Sequence, residues 1–242
     1  MSETKLSKSE ERARQRVDAI RFGVLAMAIA ASIAAVMLVD PVVQDRIPLQ
    51  FVISIPLLAG LYVVSRSVRI LVFGLVVTIV AMFLGVRSIL RQEDDLLIFD
   101  VALRATFLAV TAAWVGREVA QERVVSVDTI LGGISVYLLL GFTFALFYAG
   151  VLIAVPHAFN SSAGPVPEAF AGHHSLASLP SVLYFSFSTL TTVSFGDITP
   201  VAPIARLASM AEGMIGQLFP AVFIARLVGM HIAQRSSQHG GS

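Results

Sequence analysis

Leu179-Pro180-Ser181-Val182-Leu183-Tyr184-Phe185-Ser186-Phe187-Ser188-Thr189-Leu190-Thr191-Thr192-Val193-Ser194-Phe195-Gly196-Asp197 lies between two long apolar runs, Val127 to Val155 and Pro203 to His231. A bilayer core about 30 Å thick takes about 20 apolar residues of helix to cross. The apolar part, Leu179 to Val193, is too short for that. Its flanks suit a re-entrant segment that enters the membrane and returns to the same side. Pro180 stands in what becomes the first turn of a helix over Leu179 to Thr191, where proline is tolerated.

The whole chain supports a membrane setting. Its 242 residues are 56% hydrophobic and only 14% charged, and the mean hydropathy is +0.82, outside the range of ordinary soluble domains. Six stretches are long and apolar enough, or nearly so, to span: Phe22 to Val39, Leu49 to Ser65, Ile70 to Val86, Leu96 to Val115, Val127 to Val155 and Pro203 to His231. The expected fold is an all-α integral membrane protein of six transmembrane helices, with a re-entrant helix and loop between helices five and six. The Ala-rich first run after a basic segment has some character of a signal peptide, but Glu3, Glu10, Glu11 and Asp18 precede it and the run continues to Asp40. With no cysteine, disulfides and thiolate metal sites are excluded.

Lysine and arginine placement orients the spans. Lys5, Lys8, Arg12, Arg14, Arg16, Arg21, Arg66, Arg69, Arg117, Arg123 and Arg235 fall on one side, and Arg46, Arg87, Arg91 and Arg206 on the other, offset by Asp45, Glu93, Asp94 and Asp95. Both termini are therefore expected in the cytoplasm, with the re-entrant loop facing outward. The chain divides into a cytoplasmic N-terminal helix (1–21), a four-helix bundle (22–116), an interfacial linker (117–126), a domain containing the re-entrant segment (127–231) and a flexible cytoplasmic tail (232–242). Pro156 to Ser178 reads as an outer loop in which neither strand nor helix is indicated.

The segment Thr192-Val193-Ser194-Phe195-Gly196, with the helix-like Tyr184 to Leu190 before it and Asp197-Ile198-Thr199-Pro200 after it, resembles the pore helix, selectivity filter and outer mouth of the potassium channel family. The likeness extends through Arg206 to Gly216, which stands at the family's inner-helix hinge position. It departs at Ser194, where the family's Thr-Val-Gly-Tyr/Phe-Gly pattern has its first glycine. A six-span, single-pore-loop subunit of bacterial type in the cell membrane is implied. One loop supplies one wall, so the resemblance implies a homotetramer surrounded by membrane lipids, with monovalent cations as its cargo and no nucleic acid partner. No cofactor is expected beyond the permeant ion.

A dehydrated cation needs oxygens in place of its hydration shell. The carbonyls of Thr192, Val193, Ser194 and Phe195, with the Thr192 hydroxyl, are the candidate K+ ligands, and Gly196 supplies a close backbone approach with φ > 0. Thr191 ends the pore helix, whose C-terminal partial negative charge favours a cation. Asp197 places a carboxylate at the outer entrance. Serine at a left-handed position costs about 1 to 2 kcal/mol per subunit. The filter then keeps its shape under strain, relaxes, or uses the hydroxyl as a ligand; the last two weaken the preference for K+ over Na+. In the related plant high-affinity potassium transporter family, serine at a corresponding glycine goes with sodium permeation.

Gly216 and Pro220 are candidates for a gate or hinge, since proline removes a helical hydrogen bond; Gly213 and Gly216 serve equally well as close-packing sites. Glu212, an acid within the last span, is either a functional group in its own right or a filter brace bonded to Ser188, Thr189 or another pore-helix hydroxyl. Voltage sensors carry arginines at every third position of the fourth span, whereas this one has only Arg104, four residues after Asp100. Voltage dependence is expected to be weak or absent. His157, His173 and His174 in the outer loop offer proton or zinc binding.

The expected function is passive conduction of K+ by a tetrameric cation channel with reduced K+/Na+ selectivity. The alternative is a non-conducting, channel-like subunit with an assembly or modulatory role. A secondary transporter would show inverted repeats, which the sequence lacks. Neither a phosphate loop nor a zinc motif is present, so an enzyme is not expected.

Overall fold

The computed structural model describes residues 3–38, 47–64, 68–91, 94–122, 125–155, 157–162, 164–165 and 179–239. Arg46, Asp45, Arg66, Glu93, Arg123, His173, His174 and most of the 156–178 loop lie outside these residues. Seven helices dominate the described chain: α1 (Glu3–Leu38), α2 (Ile47–Val64), α3 (Val68–Arg91), α4 (Asp94–Gln121), α5 (Val127–Ala154), α6 (Leu179–Leu190) and α7 (Pro203–His239). Among the described residues, α1, α4, α5 and α7 each contain a segment long and apolar enough to cross a membrane. The apolar segments of α2 and α3, Phe51–Val63 and Gly74–Arg87, are shorter. The chain is an integral membrane helical protein.

Helix ends follow local chemistry. The Ser126 hydroxyl accepts from the Thr129 amide at 3.1 Å while the Ser126 amide donates to Thr129 Oγ1 at 3.4 Å, a reciprocal box that starts α5. Asp128 in the first turn faces the positive end of the helix dipole. Pro203 opens α7 where its missing N–H costs nothing. Residues 3–21 and the first apolar span are one uninterrupted helix, with no proline to break it.

Two boundaries differ from the sequence reading. Residues 117–121, expected to begin a linker, continue α4, since Arg117-Glu118-Val119-Ala120-Gln121 are helix-compatible and nothing breaks them. α7 likewise passes Pro220 and residue 231 and remains helical to His239.

α4 runs along α5, α1 packs on α5 and α2, and α2 lies on α3 and α4. Their shared core contains Leu25, Ile29, Leu57, Leu108, Leu139 and Phe142, all fully buried. Small residues permit these approaches. A Cβ at Gly60 would meet the Thr111 methyl at 2.8 Å. One ion pair is embedded in this bundle: Arg104 Nε donates to Asp100 Oδ1 at 2.7 Å and Arg104 Nη1 to Ser54 Oγ at 3.1 Å. At the end of the bundle away from α6, Arg21 Nη2 donates to the Val63 carbonyl at 2.6 Å and lies 3.3 Å from Glu118 Oε2.

The loop after α5 contains strands where none was expected. β1 (Phe159–Ser161) pairs antiparallel with β2 (Gly164–Pro165) and with β3 (Ile198–Pro200), in the order β2-β1-β3. Phe159 faces Pro200 and Asn160 faces Thr199. Strands of two or three residues carry no readable alternation, and this pairing is created by the return of the chain after residue 197.

Candidate functional site

α6 is a twelve-residue helix wedged between α5 and α7. Its buried side, with Val182, Leu183, Phe185, Ser186 and Thr189, faces inward. Phe185 joins Tyr148 and Phe159 in an edge-to-face cluster with centroids 5.1 to 5.5 Å apart, a preferred geometry for aromatic quadrupoles. The helix is thus anchored from both neighbours and from β1.

The chain leaves α6 through a compact set of hydrogen bonds. The Thr191 amide and hydroxyl both donate to the Phe187 carbonyl, at 3.0 and 2.6 Å. The Thr192 amide donates to the Thr189 carbonyl at 2.9 Å, and the Val193 and Ser194 amides share the Ser188 carbonyl at 3.0 and 3.1 Å. The remaining end carbonyl, Leu190, accepts the Tyr137 hydroxyl at 2.9 Å. The otherwise unpaired carbonyls at the helix end are thereby used up by the segment that follows and by Tyr137 of α5.

Within that segment φ is positive at Thr192 (61°), Ser194 (41°) and Gly196 (78°). Val193 and Phe195, between them, are not in the left-handed region. Only glycine enters that region without steric cost, so both Thr192 and Ser194 are held there by their surroundings. Reversal of backbone hand at alternate residues turns successive carbonyls toward a common side. Among the described residues, nothing donates a hydrogen bond to the carbonyls of Thr192, Val193, Ser194 or Phe195, and all four residues are exposed. Four oxygens are therefore available to a ligand.

Tyr184 fixes the outer end. Its ring stacks on Phe195 at 6.0 Å with an interplanar angle of 9°, and its hydroxyl lies near the Asp197 carboxylate. The Asp197 carbonyl accepts the Ser162 amide at 2.9 Å and its Oδ1 accepts the Ile198 amide at 3.1 Å. β1 and β3 carry the load onward: the Ala158 carbonyl accepts the Val201 amide at 2.8 Å, just before α7 begins.

Glu212 is fully buried behind α6. The Ser186 hydroxyl donates to its Oε1 and the Tyr148 hydroxyl to its Oε2, the latter at 2.6 Å. The α6 partner is Ser186, another hydroxyl of that helix, and not Ser188 or Thr189. Gly216 lies against the end of α6, where a Cβ would strike the Leu190 carbonyl. Gly213 is roomier, with the Thr189 carbonyl 4.0 Å from its would-be Cβ. Pro220 lies one turn beyond Gly216 and next to Phe219, whose ring stacks on Tyr137 at 6.0 Å.

Thr191 through Asp197 thus form one continuous loop, with Glu212 and Gly216 in its support and Pro220 outside it. Tyr148, Tyr137, Ser186 and Ser162 were not singled out from sequence. A tyrosine inside an apolar span does signal that its hydroxyl has a partner, although not which one. No group of His, Asp and Glu suited to a metal ion occurs among the described residues.

Comparison with known proteins adds an independent line. A family model described as "Ion channel" matches residues 124–232. Protein LctB of Geobacillus stearothermophilus is 34% identical over 122 residues, covering 50% of this chain and 84% of that protein. Two pore potassium channel c of Oryza sativa subsp. japonica is 39% identical over 92 residues, 38% of this chain and 16% of that protein. The human voltage-gated delayed rectifier potassium channel KCNH5 is 34% identical over 83 residues, 34% of this chain and 8% of that protein. No solved structure gives a significant match.

Proposed function

We propose that this chain, which belongs to the ion channel family, is the pore-forming subunit of a homotetrameric cation channel that conducts K+ passively with reduced preference over Na+. In this reading α1 to α5 and α7 cross the membrane, the shorter apolar segments of α2 and α3 included, α6 is re-entrant, and both termini are cytoplasmic. The observation that carries it is the run of four unpartnered carbonyls from Thr192 to Phe195 on a backbone that alternates in hand. Such carbonyls replace the hydration shell of a cation once rings of them surround an axis. Asp197 adds a carboxylate to each quadrant of the entrance, and the negative end of α6 points toward the ion.

Assembly of four copies is supported by α7. Its Leu207, Met210, Met214, Leu218 and Val222 are exposed, and a membrane helix with so little of its surface covered offers a face to its own copies and to the conduction path. Reduced selectivity is supported by Ser194 at φ 41°, where an L side chain costs about 1 to 2 kcal/mol in each subunit. That cost weakens the fixed cage on which discrimination between ions of different size depends.

Reversal potentials of purified protein in planar bilayers under a K+/Na+ gradient test this. The parent is expected to pass both ions, and Ser194→Gly to shift the reversal potential toward that of K+. Strict K+ reversal in the parent overturns the selectivity reading. Absence of current from both proteins favours the non-conducting subunit.

A further inference from the structure

The end of α7 away from the filter is held by two aromatic contacts, Phe219 on Tyr137 and Phe223 at Gly133, and by one polar side chain. From residue 217 to 233 no residue of α7 is buried. A cavity of about 390 Å³ separates this part of α7 from α4 and α5, lined by Val119, Val136, Phe219, Val222 and Phe223, with Arg226 at its rim. The Phe223 ring fits the notch at Gly133 on α5, where a Cβ would collide with it. Arg226 makes the polar contact. Its Nη1 donates to the Val119 carbonyl at 2.8 Å, and its Nη2 to the Ala120 carbonyl at 2.6 Å and the Glu122 carbonyl at 2.9 Å.

Those carbonyls belong to the final turn of α4 and the residue that follows it. They are the ones a helix leaves unpaired, and they carry the negative end of its dipole. The planar guanidinium fork suits three acceptors at once in a way that a lysine ammonium does not. Because the grip is on backbone, no particular side chain of α4 is needed for it.

Direction follows from these bonds. The three Arg226 bonds limit how far α7 can separate from α4, so the freedom gained on release is movement away from α4. We propose that Arg226 is a positioning clasp that holds the cytoplasmic half of α7 outward against α4, and that its release lets α7 swing inward and close the conduction path. This rests on the channel reading for its closing step. The clasp itself rests on the three hydrogen bonds.

The test uses the full chain with Arg226→Gln and Arg226→Lys, reconstituted in bilayers. Open probability is expected to fall at least about tenfold in the Gln variant and less in the Lys variant, the charge at the helix end being kept with fewer bonds. Single-channel current and reversal potential stay at the parent values, because the filter is untouched. Amide hydrogen exchange of the solubilised protein is expected to rise in residues 117–122 and 217–230 of the Gln variant and to remain unchanged in α6. Unchanged or raised open probability in a conducting protein overturns the closing step, and unchanged exchange overturns the clasp. Should the parent pass no current, the channel reading fails and the closing step with it, while exchange still decides the clasp. If the Gln variant does not assemble, the Lys variant carries both measurements.

Discussion

Tyr148 on α5 donates its hydroxyl to the buried carboxyl group of Glu212 on α7 at 2.6 Å, so a bond between the two long helices passes directly behind α6. Ser186 completes the arrangement from α6, donating also to the Gly141 carbonyl at 2.7 Å by bifurcation. Three helices meet on one acid.

Removing one donor should be costly. Tyr148→Phe deletes a hydrogen bond to a buried acidic group, worth about 1.5 to 3 kcal/mol. Thermal unfolding of the solubilised protein is expected at a lower temperature than the parent. Glu212→Ala, which strands the Tyr148 hydroxyl, leaves Ser186 only the Gly141 carbonyl and opens a cavity, is expected to be worse than Tyr148→Phe, and equal stability of the two variants would contradict the shared role.

Gly213 and Gly216, two of the three glycines of α7, should behave differently. At Gly216 an added methyl meets the Leu190 carbonyl, which is itself engaged by Tyr137. Gly216→Ala is expected to destabilise by about 1 to 3 kcal/mol, as overpacking does. Gly213→Ala has space and should leave unfolding nearly unchanged. If α7 used both positions chiefly for bending, the two substitutions would alter gating and spare stability; paired unfolding and single-channel records separate these outcomes.

Asp197 should act through its charge. Asp197→Asn keeps the size and polarity of the side chain and removes the carboxylate at the entrance. Inward conductance is expected to drop several-fold at about 0.01 M salt, where screening extends over about 30 Å, and to match the parent near 1 M, where it extends over about 3 Å. A salt-independent loss would point to a structural role through Tyr184 instead.

The pair in the bundle gives a fourth expectation. Arg104 and Asp100 are both fully buried, and breaking a buried pair from one side leaves a charge uncompensated at about 3 to 5 kcal/mol. Arg104→Met should therefore lower thermal stability markedly, while Arg104→Met with Asp100→Leu recovers much of it. A single neutralised arginine supplies little gating charge, so open probability is expected to vary weakly with voltage between −100 and +100 mV, roughly the range over which one charge gains a few kcal/mol.

The parts of this site that could be read from sequence are those where residue type and spacing state the chemistry. A short apolar run between two long ones announces α6, Gly196 announces a left-handed turn, and a lone acid in an apolar span announces a buried partner. Thr192 does not announce its positive φ, because threonine avoids that region and is placed there by the bonds of residues 192–194 to the Thr189 and Ser188 carbonyls. The pairing of Phe159 with Pro200 is equally silent, since it joins distant residues through strands too short to show a period. Arg226 reads locally as one more cation near a span end; its grip on α4 exists only once α4 is known to extend to Gln121. Tertiary contacts decide all three.

The shared Ser188 carbonyl also dictates an order of assembly. Val193 and Ser194 cannot adopt their backbone until the last turn of α6 presents that oxygen. α6, too short to cross the bilayer unaided, can hold an irregular return loop at membrane depth only once protein walls it off from lipid. Those walls are α5 and α7, and α7 is synthesised after the loop it must enclose. In the channel reading, the loop from Thr192 to Asp197 therefore takes its backbone only after α6 has formed, and waits for α7 to supply its final wall.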